Sequence, residues 1–271
     1  MNKICIFAKN PETYFLRRLR DLLGKRLEFF NPWMDQVLPQ DCSMVLVRTT
    51  GVYGDDRDLE LLQKLSHLKI LNNYPSLELF RSKDNQYRYF EKQSIPHLPW
   101  LDLSQNNLRE VEDFFSALKE EKILVKPLRG QGGWGIEVFD RNGFTLWWEE
   151  RIKKQDYSYL MQPYIEKAHE CRVFFMKDDF FVSLKRIPQD KVAANFTQEG
   201  EAYLCETPET LKEIIRHLIK ETGLSYGALD CLFYQNQWIV LEVNAAPGVE
   251  QLEKVSGLPI IEEFIQRLLT P

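Results

Sequence analysis

The chain has 271 residues, of which 44% are hydrophobic and 28% charged, as in an ordinary soluble globular protein with a substantial core. A net charge of −5 gives no overall basic surface for nucleic acid, and five widely spaced cysteines without a CxxC pair indicate neither a disulfide framework nor a zinc site. The sequence shows no N-terminal apolar signal stretch and no apolar run of about 18 residues, so we expect a soluble, cytoplasmic protein that does not enter a membrane.

Strands and helices alternate over the first 80 residues. Two short apolar segments, Lys3–Phe7 and Met44–Arg48, are predicted strands. Helices are predicted over Tyr14–Leu27 and Asp55–Leu68, and the second places its leucines on one face. This alternation is typical of a small parallel α/β domain, which we expect over residues 1–80.

After residue 80 the pattern changes to antiparallel hairpins with flanking helices, so we expect an α+β fold. Helices are predicted from Ser82 to about Gln93, after Asn107, and from Thr207-Pro208 to Gly223. The predicted strands are Ile123–Lys126, Ile136–Phe139, Arg172–Met176, Phe180–Lys185, Gly227–Tyr234 and Trp238–Asn244.

A glycine-rich loop separates two of these strands and formally contains GxGxxG at Gly130, Gly132 and Gly135. A dinucleotide fold needs a helix after this motif, whereas the residues that follow alternate as a strand, and a P-loop needs a Gly-Lys-Ser/Thr that is missing. We interpret the loop as a flap whose backbone amides approach phosphate oxygens, with Lys126 adding positive charge. The loop alone leaves an ordinary hairpin turn as the alternative.

The register of the last predicted hairpin decides where its acids lie. A three-residue loop centred on Asn236 pairs Tyr234 with Trp238. The same register pairs Asp230 with Glu242. Because side chains alternate, one face then carries Asp230, Glu242 and Asn244, and the other carries Leu229, Cys231, Ile239, Leu241 and Val243.

Two carboxylates that face each other on one sheet face destabilise the fold unless a cation lies between them. Two carboxylates and an amide oxygen suit Mg²⁺ bound together with substrate phosphates. The acidic face therefore predicts a metal site, and a solvated face with unrelated acids is the alternative.

A second predicted hairpin carries cations. Counting outwards from a turn at Asp178-Asp179 pairs Arg172 with Lys185, and an anion such as phosphate would relieve the repulsion between them. The hairpin taken by itself better fits a surface with two solvated cations.

Four segments in this order resemble the ATP-grasp superfamily, and specifically its RimK-like carboxylate–amine ligases. They are VKPLRGQGGWGIEVF from Val125, MQPYIEKAHECRVFF from Met161, GALDCLFY from Gly227 and LEVNAAPGVEQLEKVSG from Leu241. The last is the most specific, because the family typically reads Glu-Val-Asn-x-x-Pro-Gly there with a further Glu shortly after. The resemblance extends from about Ser82 to the C-terminus and covers the N-terminal third only in outline.

The resemblance implies ATP held between two α+β lobes: a small lobe with the flap at 81–161 and a large lobe with the metal site at 162–271. Phosphates would contact Lys83 and Lys126 under the flap, which consists of Gly130, Gln131, Gly132, Gly133, Trp134 and Gly135. Adenine would meet the hinge formed by Gln162, Pro163, Tyr164 and Ile165, and the ribose would meet Glu170.

The resemblance also assigns the metal and the chemistry. One or two Mg²⁺ ions, or Mn²⁺ in their place, would bind Asp230, Glu242 and Asn244. The transferred phosphate or the acceptor carboxylate would meet Arg172, Lys185 and Arg186, and Asn195 matches a family asparagine in the same region.

The sequence departs from the family pattern at two points. Around Asn195 the family usually has basic residues and paired glycines, whereas this chain reads VAANFTQEG, which bears on the acceptor substrate. Glu170 stands where aspartate is common and keeps the role of hydrogen-bond acceptor.

After the second predicted strand, Arg48 could bind an acceptor carboxylate, or could be a solvated strand end.

These features predict an ATP- and Mg²⁺-dependent ligase that forms an acyl phosphate and then an amide or peptide bond. The expected partners are a small-molecule or peptide carboxylate and an amine such as an amino acid, and a homo-oligomer is compatible with the sequence. A phosphotransferase on the same scaffold is one alternative, and a nucleotide-binding sensor without turnover is another. A protein-kinase-like enzyme fits less well, because a lysine after the flap and an Asp-Phe-Gly segment are missing.

Overall fold

The computed structural model describes residues 3–35, 41–49, 55–104, 108–130, 132–166, 169–186 and 202–269. The helices are α1 Tyr14–Leu23, α2 Arg57–Lys64, α3 Tyr74–Leu79, α4 Lys83–Lys92, α5 Leu108–Ala117, α6 Arg141–Lys154, α7 Glu209–Thr222, α8 Glu250–Ser256 and α9 Ile260–Phe264. The strands are β1 Lys3–Phe7, β2 Leu27–Phe30, β3 Cys42–Val47, β4 Lys69–Leu71, β5 Leu101–Asp102, β6 Lys122–Pro127, β7 Glu137–Asp140, β8 Tyr159–Pro163, β9 His169–Met176, β10 Phe180–Arg186, β11 Ala202–Cys205, β12 Tyr226–Tyr234 and β13 Gln237–Asn244.

The N-terminal sheet is parallel, in the order β2-β1-β3-β4. Its parallel α/β character and strands β1 and β3 confirm the sequence prediction. The two flanking strands, β2 and β4, were not predicted, and the predicted first helix runs past its observed end at Leu23. Gly24 adopts a positive φ of 51° and ends α1, so Leu27 begins a strand instead of closing the helix.

A second sheet, in the order β5-β8-β6-β7, carries the glycine loop. β6 and β7 are antiparallel, with Val125 opposite Glu137, so the loop does join two strands as predicted. Helix α6 follows directly and was not predicted. Asp140 caps it by accepting a hydrogen bond from the Gly143 amide at 2.7 Å. Its buried residues Phe144, Trp147 and Trp148 lie at helical spacing.

The third sheet, β11-β10-β9-β12-β13, is antiparallel throughout. The predicted helix before β12 is confirmed as α7, which ends at Gly223 in the left-handed conformation. The last hairpin turns through two residues, Gln235 and Asn236, which both have positive φ, so Tyr234 pairs with Gln237. The predicted pairing of Tyr234 with Trp238 is therefore wrong.

A β-bulge between Asp230 and Cys231 then shifts the register by one residue. Beyond the bulge Asp230 pairs with Glu242, as predicted, although the prediction assumed a longer loop and no bulge. The opposite face also differs from the prediction. Val240 pairs with Cys231, whereas Ile239 and Leu241 pack in a cluster with Leu98 and Leu232.

The N-terminal and C-terminal sheets share their cores. One cluster joins Phe7 and Val45 to Val173 and Leu229, and a second joins residues of β1 and β3 to residues of β9, β10, α1 and α9. The middle sheet packs on α5 and α6 in a cluster of its own. Among the described helices, none is both long enough and apolar enough to cross a membrane.

Candidate active site

Three polar residues of the last hairpin lie on one face of the third sheet. Asp230 pairs with Glu242 and Ala228 pairs with Asn244, so Asp230, Glu242 and Asn244 point to the same side. All three side chains are partly buried. Within the described part of the chain, no group of three His, Cys, Asp or Glu side chains could hold a metal, so a metal here depends on the asparagine as well.

The cation that balances these acids is Arg172. Its Nε and Nη2 donate to the two carboxylate oxygens of Asp230, both at 2.6 Å. Burial opposes the charge of Arg172, but Asp230 and Glu242 raise its pKa. Arg172 thus supplies a cation of the kind that the facing acids were expected to need, so their pairing does not by itself indicate a metal.

The predicted pairing of Arg172 with Lys185 is also wrong. The turn between β9 and β10 uses three residues, so Met176 pairs with Phe180 and Arg172 pairs with Leu184. Lys177 belongs to this turn together with Asp178 and Asp179, which both have positive φ.

This register places Lys185 opposite Cys171, on the face away from Arg172, so the structure does not bring Lys185 to the acidic residues. Arg186 is opposite Glu170 in register.

Two buried lysines approach the acidic face from other elements. Lys83 begins α4 and Lys126 lies near the end of β6, and each side chain is only 6% exposed. Burial lowers the pKa of Lys126 to about 8, and it also lowers the pKa of Lys83, while the nearby charge of Glu242 raises both. Glu242 acts on both lysines and Asp230 acts on Lys126, and the three cations Lys83, Lys126 and Arg172 outnumber these two carboxylates, which leaves positive charge for an anion.

Two hydrogen bonds connect the start of the flap to Lys83, the first residue of α4. The Lys83 amide donates to the Leu128 carbonyl at 2.9 Å, and Lys83 Nζ donates to the Gly130 carbonyl at 3.3 Å. Gly135 has a φ of +75°, and a Cβ there would lie 2.8 Å from Pro127 Cγ, so only glycine fits. Gly132 and Gly133 also have positive φ, and the Trp134 side chain is 78% exposed. Gln131 lies outside the described residues.

The predicted hinge follows β8 and contains an unsatisfied amide. Gln162 is 2% exposed, and its Oε1 lies 3.2 Å from the Tyr87 hydroxyl oxygen. Its buried Nε2 has no partner among the residues that the structure describes, so a ligand acceptor would satisfy it. Pro163 ends β8, the Tyr164 amide donates to the Lys122 carbonyl, and Ile165 packs on the Leu98 cluster.

Glu170 lies on the site side of β9. It is opposite Leu232 in register, two positions from Arg172 on the same strand. Together with burial and Glu166, its charge raises the pKa of Tyr164. The structure thus brings Glu170 near the predicted hinge.

Arg48 is partly buried and packed against the protein. Its guanidinium lies 4.2 Å from the centroid of the Phe15 ring, and its Nη2 donates to the Pro247 carbonyl at 2.9 Å. Its Nη1 is buried and has no partner within the described chain. The solvated strand end that the sequence left open is therefore excluded. Asn195 lies outside the described residues.

Sequence reasoning missed Tyr87, which connects the second sheet to the third. Its fully buried hydroxyl accepts a hydrogen bond from Lys126 Nζ at 3.3 Å and donates to the Leu241 carbonyl at 2.9 Å. Lys83, Gln86, Tyr87 and Phe90 form the buried face of α4. The four-residue spacing from Lys83 to Tyr87 was the signal available in the sequence.

These groups fit a nucleoside triphosphate and a divalent cation. The buried lysines and the glycine amides can meet phosphate oxygens, and the unsatisfied Gln162 amide can meet a polar base edge. Asp230, Glu242 and Asn244 offer the hard oxygen ligands that Mg²⁺ prefers.

Known proteins resemble this chain in sequence and in fold. Residues 86–268 match the family model of the RimK-like ATP-grasp domain. A probable alpha-L-glutamate ligase of Pasteurella multocida (strain Pm70) is 32% identical over 300 residues, covering 98% of this chain and 93% of that protein.

Two solved structures share the fold. D-cycloserine synthetase DcsG superposes with a TM-score of 0.77 at 16% identity, over 99% of this chain and 98% of that one. ATP-grasp ligase PsnB, complexed with a phosphomimetic variant of its minimal precursor, Mg and ADP, superposes with a TM-score of 0.71 at 16% identity, over 98% of both chains. The chain belongs to the RimK-like ATP-grasp family and is therefore an ATP- and Mg²⁺-dependent, ADP-forming ligase that joins a carboxylate to an amine.

Proposed function

We propose that this enzyme joins the amino group of L-glutamate to the carboxylate of a peptide or protein. The name of the Pasteurella multocida relative supports glutamate as the amine. The complex of PsnB with its precursor supports a peptide as the other partner. The observation that carries the nucleotide part is the pair of buried lysines, Lys83 and Lys126, beside Glu242 and below the flap.

In this proposal the acceptor carboxylate attacks the γ-phosphorus of ATP, an O–P bond forms, and ADP leaves. The amine then attacks the acyl carbon, the C–N bond forms, and inorganic phosphate leaves with the acyl oxygen. Lys83, Lys126 and the flap amides hold the phosphates in line, and Arg172 orients Asp230 through its two hydrogen bonds. Bound Mg²⁺ would neutralise charge on the phosphoryl group that is transferred.

The remaining residues have binding roles. Gln162 and its neighbours Pro163, Tyr164 and Ile165 would contact adenine, and Glu170 the ribose. Asp230, Glu242 and Asn244 would hold the metal. Arg186 and Asn195 would face the acceptor. The division into a domain at 1–80 and lobes at 81–161 and 162–271 belongs to the same proposal, and the separate core of the middle sheet supports it.

The test is a product analysis. The enzyme is incubated with Mg-ATP, L-glutamate and a panel of peptides, and each product is identified by its mass. We expect ADP release that needs both partners, and a peptide heavier by one glutamate residue. A phosphorylated peptide would instead indicate a phosphotransferase, and a different amine in the product would overturn the substrate assignment.

A further inference from the structure

Two side chains at one edge of the N-terminal sheet hold the turn that follows β13. β3 and β4 are parallel neighbours, so their carboxyl ends lie at the same edge, and Arg48 and Asn72 each come directly after one of these strands. Arg48 Nη2 donates to the Pro247 carbonyl at 2.9 Å, and Asn72 Nδ2 donates to the Ala245 carbonyl at 2.7 Å. This turn begins immediately after Asn244.

Asn72 holds the open end of the hairpin that β12 and β13 form, where the first strand begins and the second ends. It is fully buried, and its Nδ2 also donates to the Tyr226 carbonyl at 2.9 Å. Its Oδ1 accepts from the amides of Ser225 at 2.7 Å and Tyr226 at 3.2 Å. These four bonds use the full capacity of one side-chain amide. The start of β12 and the end of β13 are therefore tied to the same residue.

The surroundings of Asn244 leave its backbone little freedom. A Cβ on Gly227 would lie 3.0 Å from the Asn244 carbonyl oxygen and 2.7 Å from Phe175 Cζ, so the backbone is closely packed on that side. Asn72 has a positive φ of 56°, a conformation that asparagine tolerates better than most residues. A side chain of the N-terminal domain thus reaches the metal-bearing strand in a specific backbone conformation.

We propose that Asn72 and Arg48 form a clamp that positions Asn244, and with it Glu242, for Mg²⁺ binding. The clamp rests on the proposed metal role of these two residues. The clamp acts through the turn after β13, so Arg48 is a positioning residue. Because the loss of an outer-shell partner typically weakens metal binding by about 10- to 100-fold, removal of the clamp should be measurable.

The experiment compares Asn72→Gly with Asn73→Gly. Glycine accepts the positive φ at position 72, so the first variant removes the hydrogen bonds without adding backbone strain. The control removes the neighbouring side chain, whose Oδ1 caps α3 by accepting from the Ser76 amide. Mn²⁺ binding is titrated by electron paramagnetic resonance with ADP present. Amide hydrogen exchange of residues 244–249 and ADP affinity are measured without metal.

We expect Asn72→Gly to weaken Mn²⁺ binding about tenfold or more. Exchange at residues 244–249 should become faster, metal-free ADP affinity should be unchanged, and Asn73→Gly should behave as wild type. Wild-type Mn²⁺ binding in Asn72→Gly would overturn the clamp. An equal loss of Mn²⁺ and metal-free ADP binding would overturn it as well, because that result indicates general damage.

If Asn72→Gly does not fold, Arg48 decides the question. Arg48→Met removes the donor to Pro247 and should weaken Mn²⁺ binding, whereas Arg48→Lys keeps a donor and should restore it. Equal binding in both variants would contradict the clamp. Failure of the metal site itself is distinguishable, because Glu242→Gln would then bind Mn²⁺ like wild type.

Discussion

At the scale of single residues, the site is defined by cations that are buried before any ligand is present. Lys126 contacts the Tyr87 hydroxyl and ring, and Lys83 contacts the flap through the Gly130 carbonyl. Burial disfavours both charges, so the free protein stores electrostatic free energy that an anion can release. The buried lysines therefore lower the stability of the free protein and strengthen the binding of phosphate.

We predict that Lys126→Met weakens ATP binding by about tenfold or more, because a charge-assisted contact to phosphate is lost. The melting temperature of the nucleotide-free protein should not fall, since a buried charge is removed. Lys122→Met is the matched control, because Lys122 lies on the same strand but is exposed. Unchanged ATP affinity in Lys126→Met would mean that the flap does not cover phosphates.

The low pKa of Lys126 also predicts a pH dependence. The folded-state pKa of about 8 lies below the ordinary lysine value of 10.5, so below pH 8 the folded protein carries the cost of a buried charge. This penalty is relieved as the pH rises from about 8 towards 10.5. The melting temperature of wild type should therefore rise relative to Lys126→Met over this range, as scanning calorimetry can measure. A constant difference would contradict the lowered pKa.

At the scale of elements, two turn lengths explain which sequence predictions failed. The β9–β10 turn is one residue longer than predicted, which moves Lys185 to the other face. The β12–β13 turn is one residue shorter, but the bulge beside Asp230 compensates and keeps Glu242 opposite it. Periodicity locates strands, but the register depends on φ angles at turns and on bulges, which the side-chain pattern does not specify.

The flap provides a prediction at this scale. Gly135→Ala should raise the KM for ATP and destabilise the fold by about 1–3 kcal/mol, because alanine at positive φ is strained and its Cβ would meet Pro127. Gly130→Ala should be tolerated, since its φ is not positive and its nearest new contact is 3.8 Å away. Steady-state kinetics and urea unfolding test both variants. Equal behaviour of the two would contradict the described flap geometry.

Helix α4 provides a second pair of matched variants, at two tyrosines. Tyr87→Phe should lower the free energy of unfolding by about 1–3 kcal/mol, because Lys126 and the Leu241 carbonyl lose a buried partner. Tyr89→Phe should be neutral or stabilising, since its buried hydroxyl has no partner within the described chain. Urea denaturation measures both. A larger loss in Tyr89→Phe would show that the roles of the two tyrosines are reversed.

At the scale of the whole molecule, the sequence predicted the parallel N-terminal domain, the flap between strands and the acidic hairpin face. These features follow from local patterns: apolar periodicity, glycine spacing and alternation. The contacts between distant segments were not predictable in the same way. Asn72 and Arg48 contact the turn after β13 across more than 170 residues of sequence, and two core clusters join the first and third sheets. The domain boundaries at residues 80 and 161, and a homo-oligomer, stay predictions.

The central claim is that Glu242, together with the buried lysines, makes this fold an ADP-forming ligase site. The most direct test measures Mg²⁺-dependent ADP release with L-glutamate and an accepted peptide, for wild type, Glu242→Gln and Glu250→Gln. Glu250 is an exposed acid on α8 paired with Lys254, and its variant should match wild type. We predict that Glu242→Gln abolishes ADP release and keeps the wild-type melting temperature. Wild-type ADP release by Glu242→Gln would contradict the account.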